Sequence, residues 1–331
     1  MNGPEMKNDF IENGSVTPAQ EEQPAPAPAR ETKRQKAPLF EEPVSNCPLC
    51  GSANISHYHD ITRYSNHFKV DRCAECGFIF MNPRFTMETL RGFYGEDYYR
   101  GKAEYAYYDE RGAERFAKHV WDARLAFIMK YIRAGRLLDI GSAFGGFLRA
   151  SVPHFEPAGI EFSEYAGNYA RKRMGSQIHV GTLDDHYFPR DNFLVITMIE
   201  VLEHIASPAE AVKECHKLLQ KGGLLVVQTA NMDGLQAKIQ GKKYAYYMPG
   251  HVSYFTKRNL VSLLKSAGFT RIKVYHPVEF GLLPKLKKSR GDFRSVLDYR
   301  RWIRISFYHV LSKLHIGNFC TTSSMVVYAF K

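Results

Sequence analysis

No apolar run in these 331 residues approaches the ~20 that a membrane-spanning helix needs, and the polar start lacks a signal-peptide core. Both absences make a soluble, cytoplasmic protein the expectation, with contact at the periphery of a membrane left open. Cysteine is scarce, and four of the six fall in two close pairs, a pattern that suits metal ligation better than a disulfide framework. The first 40 residues have no apolar period and are rich in Pro, Ala, Glu and Gln. They cannot bury enough surface to offset the entropy of ordering, so residues 1–43 are expected to be a disordered tail. No internal repeat is visible.

What remains has 44% hydrophobic and 13% aromatic residues, ample for a core, and a length that suggests two folded units at ~150 residues per domain. The net charge of +11 is uneven. After Phe280 come Lys285, Lys287, Lys288, Arg290, Arg294, Arg300, Arg301, Arg304 and Lys313. Such an excess favours anionic partners (nucleotide-linked sugars, lipid head groups, nucleic acid) or is only a solvated surface.

Cys47-Pro-Leu-Cys50-Gly and Cys73-Ala-Glu-Cys76-Gly form two C-x2-C knuckles. Two residues between thiolates let both reach one ion, and four thiolates close a tetrahedral structural zinc site with no open position for catalysis. His57, His59 and His67 lie between the pairs and read as bystanders; Cys215 and Cys320 read as core. The expected organisation is a zinc-ribbon-like module at 44–83, an aromatic and helical bridge or lid at 84–134, and a third region at 135–331. That region carries a basic amphipathic insertion at about 280–318.

From Arg136 onward strands and helices alternate, which argues for a mainly parallel sheet covered on both faces: an α/β, Rossmann-like, doubly wound fold. Strands are expected at 136–140, 157–161, 193–199, 224–229, 272–275 and 323–330. Ser163 is expected to cap one helix. Ser207-Pro-Ala-Glu210 reads as a capping box opening a helix that stops at Gly222-Gly223.

Leu138-Asp-Ile-Gly141-Ser-Ala143-Phe-Gly145-Gly146 sits at a strand-to-helix turn, where backbone can approach a ligand. Glu161, about 20 residues on, can accept ribose hydroxyls. Asp139 before the first glycine suits a cationic amino-acid ligand better than a pyrophosphate, which favours S-adenosylmethionine over NAD.

With these motifs, 137–275 resembles class I S-adenosylmethionine-dependent methyltransferases, especially the group with ubiquinone-biosynthesis O-methyltransferases and sugar methyltransferases. The turn is similar to the family's D-x-G-x-G-x-G, with Ala143 for the middle glycine. Ile199-Glu200-Val-Leu-Glu203-His204-Ile, with Pro208 and Gly222-Gly223 beyond, resembles the family's segment after the fourth strand. The resemblance implies a cofactor site of Asp139, Gly141, Ala143, Gly145, Glu161, Phe162, Leu183, Asp184 and Glu200. Cys47 to Pro83 resembles the zinc-bearing front module of sugar methyltransferases, including 3-C-methyltransferases. Their Tyr, Glu, His cluster corresponds here to Tyr247-Met-Pro-Gly250-His251, so the acid is missing, which tilts the reading toward O-methylation.

Methyl transfer to a hydroxyl needs alignment, exclusion of water and removal of a proton. His204 and His251 are the candidate bases, since imidazole titrates near working pH, with Glu203 to orient one of them. Each histidine reads also as a structural residue of its loop. Tyr94, Tyr98, Tyr99, Tyr105, Tyr107 and Tyr108 could line the acceptor pocket, form a lid or pack between modules. The stretch 294–317 suits an amphipathic helix against a membrane or a lipid-linked glycan, or a helix packed on the protein with basic residues outward; membrane contact is expected over about 285–317. The acceptor is expected to be a small molecule or glycan precursor, most simply a sugar hydroxyl. Nucleic acid is disfavoured, because no base-stacking motif or Asn-Pro-Pro-Tyr-like signature is present; a non-catalytic cofactor-binding scaffold is a further alternative.

Overall fold

A computed structural model describes residues 38–331 apart from 105–108, 277–280, 318 and 323. The expected tail up to residue 37, with Tyr105, Tyr107 and Tyr108, lies outside the described residues. Just before the cysteine module, Phe40 bridges to Phe85 and the Glu41 carboxylate pairs with Arg84 at 2.8 Å.

The module is a hairpin of β1 (Ile55–Arg63) and β2 (Asn66–Cys73) followed by β3 (Ile79–Met81). Tyr64 and Ser65 both take left-handed φ, which matches the twist of a tight hairpin. Two short helices follow, α1 (Met87–Phe93), capped by the Thr86 side chain, and α2 (Glu96–Tyr99). Then comes the longer α3 (Glu114–Ile128).

The α/β half runs β4 (Gly135–Ile140), α4 (Gly146–Ser151), β5 (Phe155–Glu161), α5 (Glu164–Met174), β6 (Ile178–Val180), β7 (Phe193–Ile199), α6 (Pro208–Leu218) and β8 (Leu219–Ala230). It continues through α7 (Leu235–Gln240), β9 (Ser253–Tyr254), α8 (Lys257–Ser266) and β10 (Arg271–Tyr275). An inserted segment holds α9 (Leu282–Ser289), α10 (Arg300–Ser312) and the small pair β11 (His315–Ile316) and β12 (Phe319–Cys320), before β13 (Ser324–Phe330) returns to the sheet.

The main sheet has the order β10-β13-β8-β7-β4-β5-β6, parallel from β8 to β6 and antiparallel at β13 and β10. This is the expected α/β, Rossmann-like arrangement. Its strands read as near-continuous apolar runs because both faces are buried. Leu138, Ile140, Ile196, Met198, Leu225 and Val227 face α6 and α8, while Leu137, Val195, Leu224 and Val226 face Trp121, Leu125 and Ile128 of α3. Fully burying one such side chain contributes about 1.5–3 kcal/mol.

The cysteine module shares this core. Cys47, Cys73, Phe78 and Phe80 pack with Met198, Leu202 and Phe255, and β9 completes the module's four-stranded sheet by pairing with β3. The strand that follows His251 is therefore held by the module.

Three local expectations are corrected. α6 ends at Leu218, and β8 begins at Leu219, opposite Phe193, with Gly222 and Gly223 inside the strand. Ser207 makes no side-chain cap bond; Pro208 opens the helix, and Glu210 instead pairs with Lys213. The capping box formed in this region belongs to Thr256 and Asn259. Ser163, too, gives no cap bond: its hydroxyl donates to the Tyr94 carbonyl.

Candidate active site and metal centre

The expected cofactor site begins where β4 stops. Gly141 takes φ +79°, and a Cβ there would lie 2.4 Å from Val201 Cγ2, so only glycine makes this turn. Ala143 is also left-handed, at φ +46°, which aims its N–H at Glu161 Oε2 at 2.7 Å. Ser163 N and the Tyr99 hydroxyl donate to Oε1 at 2.8 and 3.2 Å. Burial still holds the Glu161 carboxyl above its usual range. Gly145, at φ +75°, caps α4.

Asp139 is buried and accepts a 2.5 Å hydrogen bond from Thr197 on β7. Desolvation pushes its carboxyl up to about 7, against the pull of the Thr197 hydroxyl and of the Arg124 guanidinium. Arg124 donates to Gln228 at 3.2 Å, and Gln228 donates to Glu200 at 2.9 Å. Glu200 stands left-handed and exposed at the end of β7. Tyr98 lies near both Glu161 and Glu200, and burial with those two charges pushes its phenol up to about 12. Phe162 meets Tyr94, the residue that ends α1, edge-on.

Beyond β7 lies a second buried group. His204 Nδ1 is 2.8 Å from both the Gly250 carbonyl and Tyr94 Oη. A carbonyl only accepts, so Nδ1 carries the proton and Nε2 is the basic nitrogen. Burial pulls this imidazole down to about 4 although the Gly250 and Glu200 carbonyls act the other way. His251, at a ring distance of 4.6 Å, donates from Nδ1 to the Tyr246 carbonyl and is held well below its ordinary value by burial and by its neighbour His204. Tyr246 donates a short hydrogen bond to Glu203, and its oxygen also meets Thr229 at 2.9 Å and accepts from Ala230 N at 3.2 Å. Desolvation and then the Glu200 charge push the Glu203 carboxyl up to about 8.

The four cysteines converge at the open end of the β1–β2 hairpin, opposite its turn. Cys47 and Cys76 sulfurs lie 3.7 Å apart, Cys50 and Cys73 sulfurs 3.6 Å, and all four fall within 4.8 Å of one another. The knuckles repeat one geometry: Gly51 N donates to Cys47 O and Gly77 N to Cys73 O, both glycines at positive φ. His57 points instead to Asp60, at 3.0 Å.

Residues 113–274 match a family described as "Methyltransferase domain". A ubiquinone biosynthesis O-methyltransferase from Alkalilimnicola ehrlichii is 35% identical over 106 residues, 29% of this chain and 42% of that enzyme. The enzyme of that name from Hydrogenovibrio crunogenus is 23% identical over 223 residues, 62% of this chain and 87% of the other. This chain is an S-adenosylmethionine-dependent methyltransferase. A solved S-adenosylmethionine-dependent methyltransferase from Mesorhizobium loti resembles it with 17% identity over 64% of this chain and 98% of that one, at a TM-score of 0.45.

In this methyltransferase the residues expected at the cofactor site do not all stand alike. Asp139 stands near the end of β4, before the turn of Gly141, Ala143 and Gly145, and Glu161 at the end of β5 is hydrogen-bonded to that turn through Ala143 N. Leu183 is buried, whereas Asp184 is exposed and its neighbour Asp185 accepts from Thr182 N at 2.7 Å. Glu203, His204 and His251 come together. Thr197, Arg124 and Tyr246 were not singled out from the sequence. Tyr246 stands in an aromatic run just before Gly250-His251, the one signal that could have marked it.

Proposed function

We propose that the methyltransferase transfers its methyl group to a hydroxyl of a small acceptor, of the sugar or glycan-precursor class, with His204 as general base. The observation that supports this is a neutral imidazole fixed through Nδ1 by the Gly250 carbonyl, with its basic nitrogen opposite. When bound, S-adenosylmethionine supplies an electrophilic methyl carbon on a sulfonium leaving group.

The chain's own residues fit that cofactor. Two buried carboxylates border a turn that only glycine can make, and burial has raised both, so a cation beside Asp139 would relieve a desolvated acid. In this reading Asp139 faces the ammonium of the amino-acid part and Glu161 the ribose hydroxyls. Gly141, Ala143 and Gly145 let the backbone approach, Phe162, Leu183, Asp184 and Glu200 border the base and ribose, and Tyr98 and Tyr99 exclude water. His204 takes the hydroxyl proton as the acceptor oxygen attacks in line, and Glu203, held by Tyr246, fixes the loop that carries it.

Position 250 favours oxygen over carbon as the nucleophile. Where the resembling C-methyltransferases have glutamate, this chain has glycine, and the Tyr94 hydroxyl fills the space.

Cys47, Cys50, Cys73 and Cys76 are proposed to hold a structural zinc. Sulfurs bound to one zinc at ~2.3 Å would lie about 3.8 Å apart, close to the 3.7 and 3.6 Å found here. The ion would staple β3, and through it β9, beneath the catalytic loop.

The test is transfer of labelled methyl groups to a panel of sugar nucleotides and phenols, comparing the parent protein with His204→Ala. Transfer to an oxygen, lowered roughly 10²–10⁴-fold by the substitution, is the expected result. Methylation at carbon, or an unchanged rate in the variant, would overturn the assignment.

A further inference from the structure

The inserted segment between β10 and β13 carries a helix turned the wrong way out. On α10 large apolar side chains are exposed, Ile303 at 72%, Phe307 at 65% and Val310 at 59%, with Arg300 and Arg304 exposed beside them. The buried ones are polar, His309 at 5% and Ser312 at 0%. Ile303, Phe307, Val310 and Leu314 recur at helical spacing and make one stripe, which Ile316 and Phe319 of the β11–β12 pair extend. The inner side is anchored: Trp302 Nε1 donates to Ser289 Oγ at 3.0 Å, and Lys288 of α9 pairs with Glu110 at 3.0 Å. The exposed stripe is thus a consequence of how the segment docks.

Charge says what the stripe faces. Residues 281–317 hold nine Lys or Arg against two Asp. Arg301 reaches Asp292 at 3.5 Å, but among the described residues no carboxylate is in ion-pair reach of Arg300, Arg304 or Lys313, which flank the stripe. A second copy would bring the same positive charge against its own and be repelled. A surface both apolar and negative would satisfy both features. No helix of the described residues is long and apolar enough to cross a membrane, so the helix would lie in the interface plane.

We propose that α10 and the β11–β12 pair form a docking face for an anionic lipid surface, with Ile303, Phe307, Val310 and Leu314 entering the acyl boundary and Arg300, Arg304 and Lys313 contacting head-group phosphates. The proposal does not depend on the acceptor or on the base.

Co-sedimentation of the full chain with vesicles tests it. Vesicles of phosphatidylcholine mixed with phosphatidylglycerol are expected to pellet the protein, and vesicles of phosphatidylcholine alone to pellet much less. Ile303→Asp with Phe307→Asp should abolish binding. Replacing Arg300, Arg304 and Lys313 by Gln should weaken it about fivefold per residue, roughly a hundredfold together. Both variants should keep the parent's melting temperature and S-adenosylhomocysteine affinity, which shows that the fold survives. Failure of the parent to bind the anionic vesicles, or binding that either variant leaves unchanged, would overturn the proposal. A dimer in ultracentrifugation that Phe307→Asp dissociates, with no vesicle binding, would overturn it in favour of a second copy.

Discussion

Tyr94 Oη lies 2.8 Å from Nδ1 of His204, 110 residues further along the chain, and a Cβ on Gly250 would come within 1.7 Å of the same oxygen. The end of α1, the loop after β7 and the segment leading into β9 meet at this point, and glycine at 250 is what lets them. Gly250→Ala should therefore push Tyr94 out of place. The expected cost is about 1–3 kcal/mol of stability, as for other overpacked sites, together with a loss of methyl transfer. Thermal melting and a transfer assay check this; a variant as stable and active as the parent would mean that the Tyr94–His204 contact does not matter to the fold or the reaction.

Asp139 gives a pH dependence whose sign can be worked out. Its folded value of about 7 stands above its ordinary 3.8, so between these the folded state holds a proton that the unfolded state has released. Its contribution to stability falls as pH rises through that window. Without cofactor, Asp139→Asn should be more stable than the parent at about pH 8 and little different at about pH 4. Cofactor binding runs the other way. A cationic ligand wants the charged carboxylate, so affinity should rise from about pH 6 to about pH 8 in the parent and stay flat in the variant. Melting curves and calorimetry at several pH values measure both.

His204 has the opposite sign. Its folded value of about 4 lies below the ordinary 6.5, so acidification through this range favours the unfolded chain, which binds the proton first. His204→Gln should lose less stability than the parent between about pH 6.5 and pH 4, read from denaturant midpoints.

Metal removal should act at a distance. The cysteine module shares buried side chains with the catalytic sheet, and Val252, next to His251, accepts from Met81 N at 3.0 Å and donates to the Glu203 carbonyl at 2.9 Å. Chelation, or Cys50→Ser, should release one zinc per chain, lower the melting temperature and reduce transfer. Full activity in a metal-free protein would separate the module from the site.

Much of this was legible in the sequence where the signal is local. The apolar strand, the glycine turn at 141–145 and Glu161 at the end of the next strand lie within one strand-helix-strand unit, and the cysteine knuckles within four residues each. What was not legible depends on distant contacts. Tyr94 gains its role from His204, and Tyr246 from Glu203, through pairings that no periodicity encodes. Ser207 reads as a cap, yet its backbone, at φ −116° and ψ 71°, leaves its hydroxyl without that bond. On α10 the apolar stripe was visible, but spacing alone does not say which side faces the protein.

Titration calorimetry with S-adenosylhomocysteine tests most directly whether Asp139 and Glu161 hold the cofactor. Saturable binding by the parent, lost in Asp139→Ala and in Glu161→Ala while both variants stay folded, is the expected result. A folded parent that binds no S-adenosylhomocysteine, or variants that bind it as the parent does, would contradict the account.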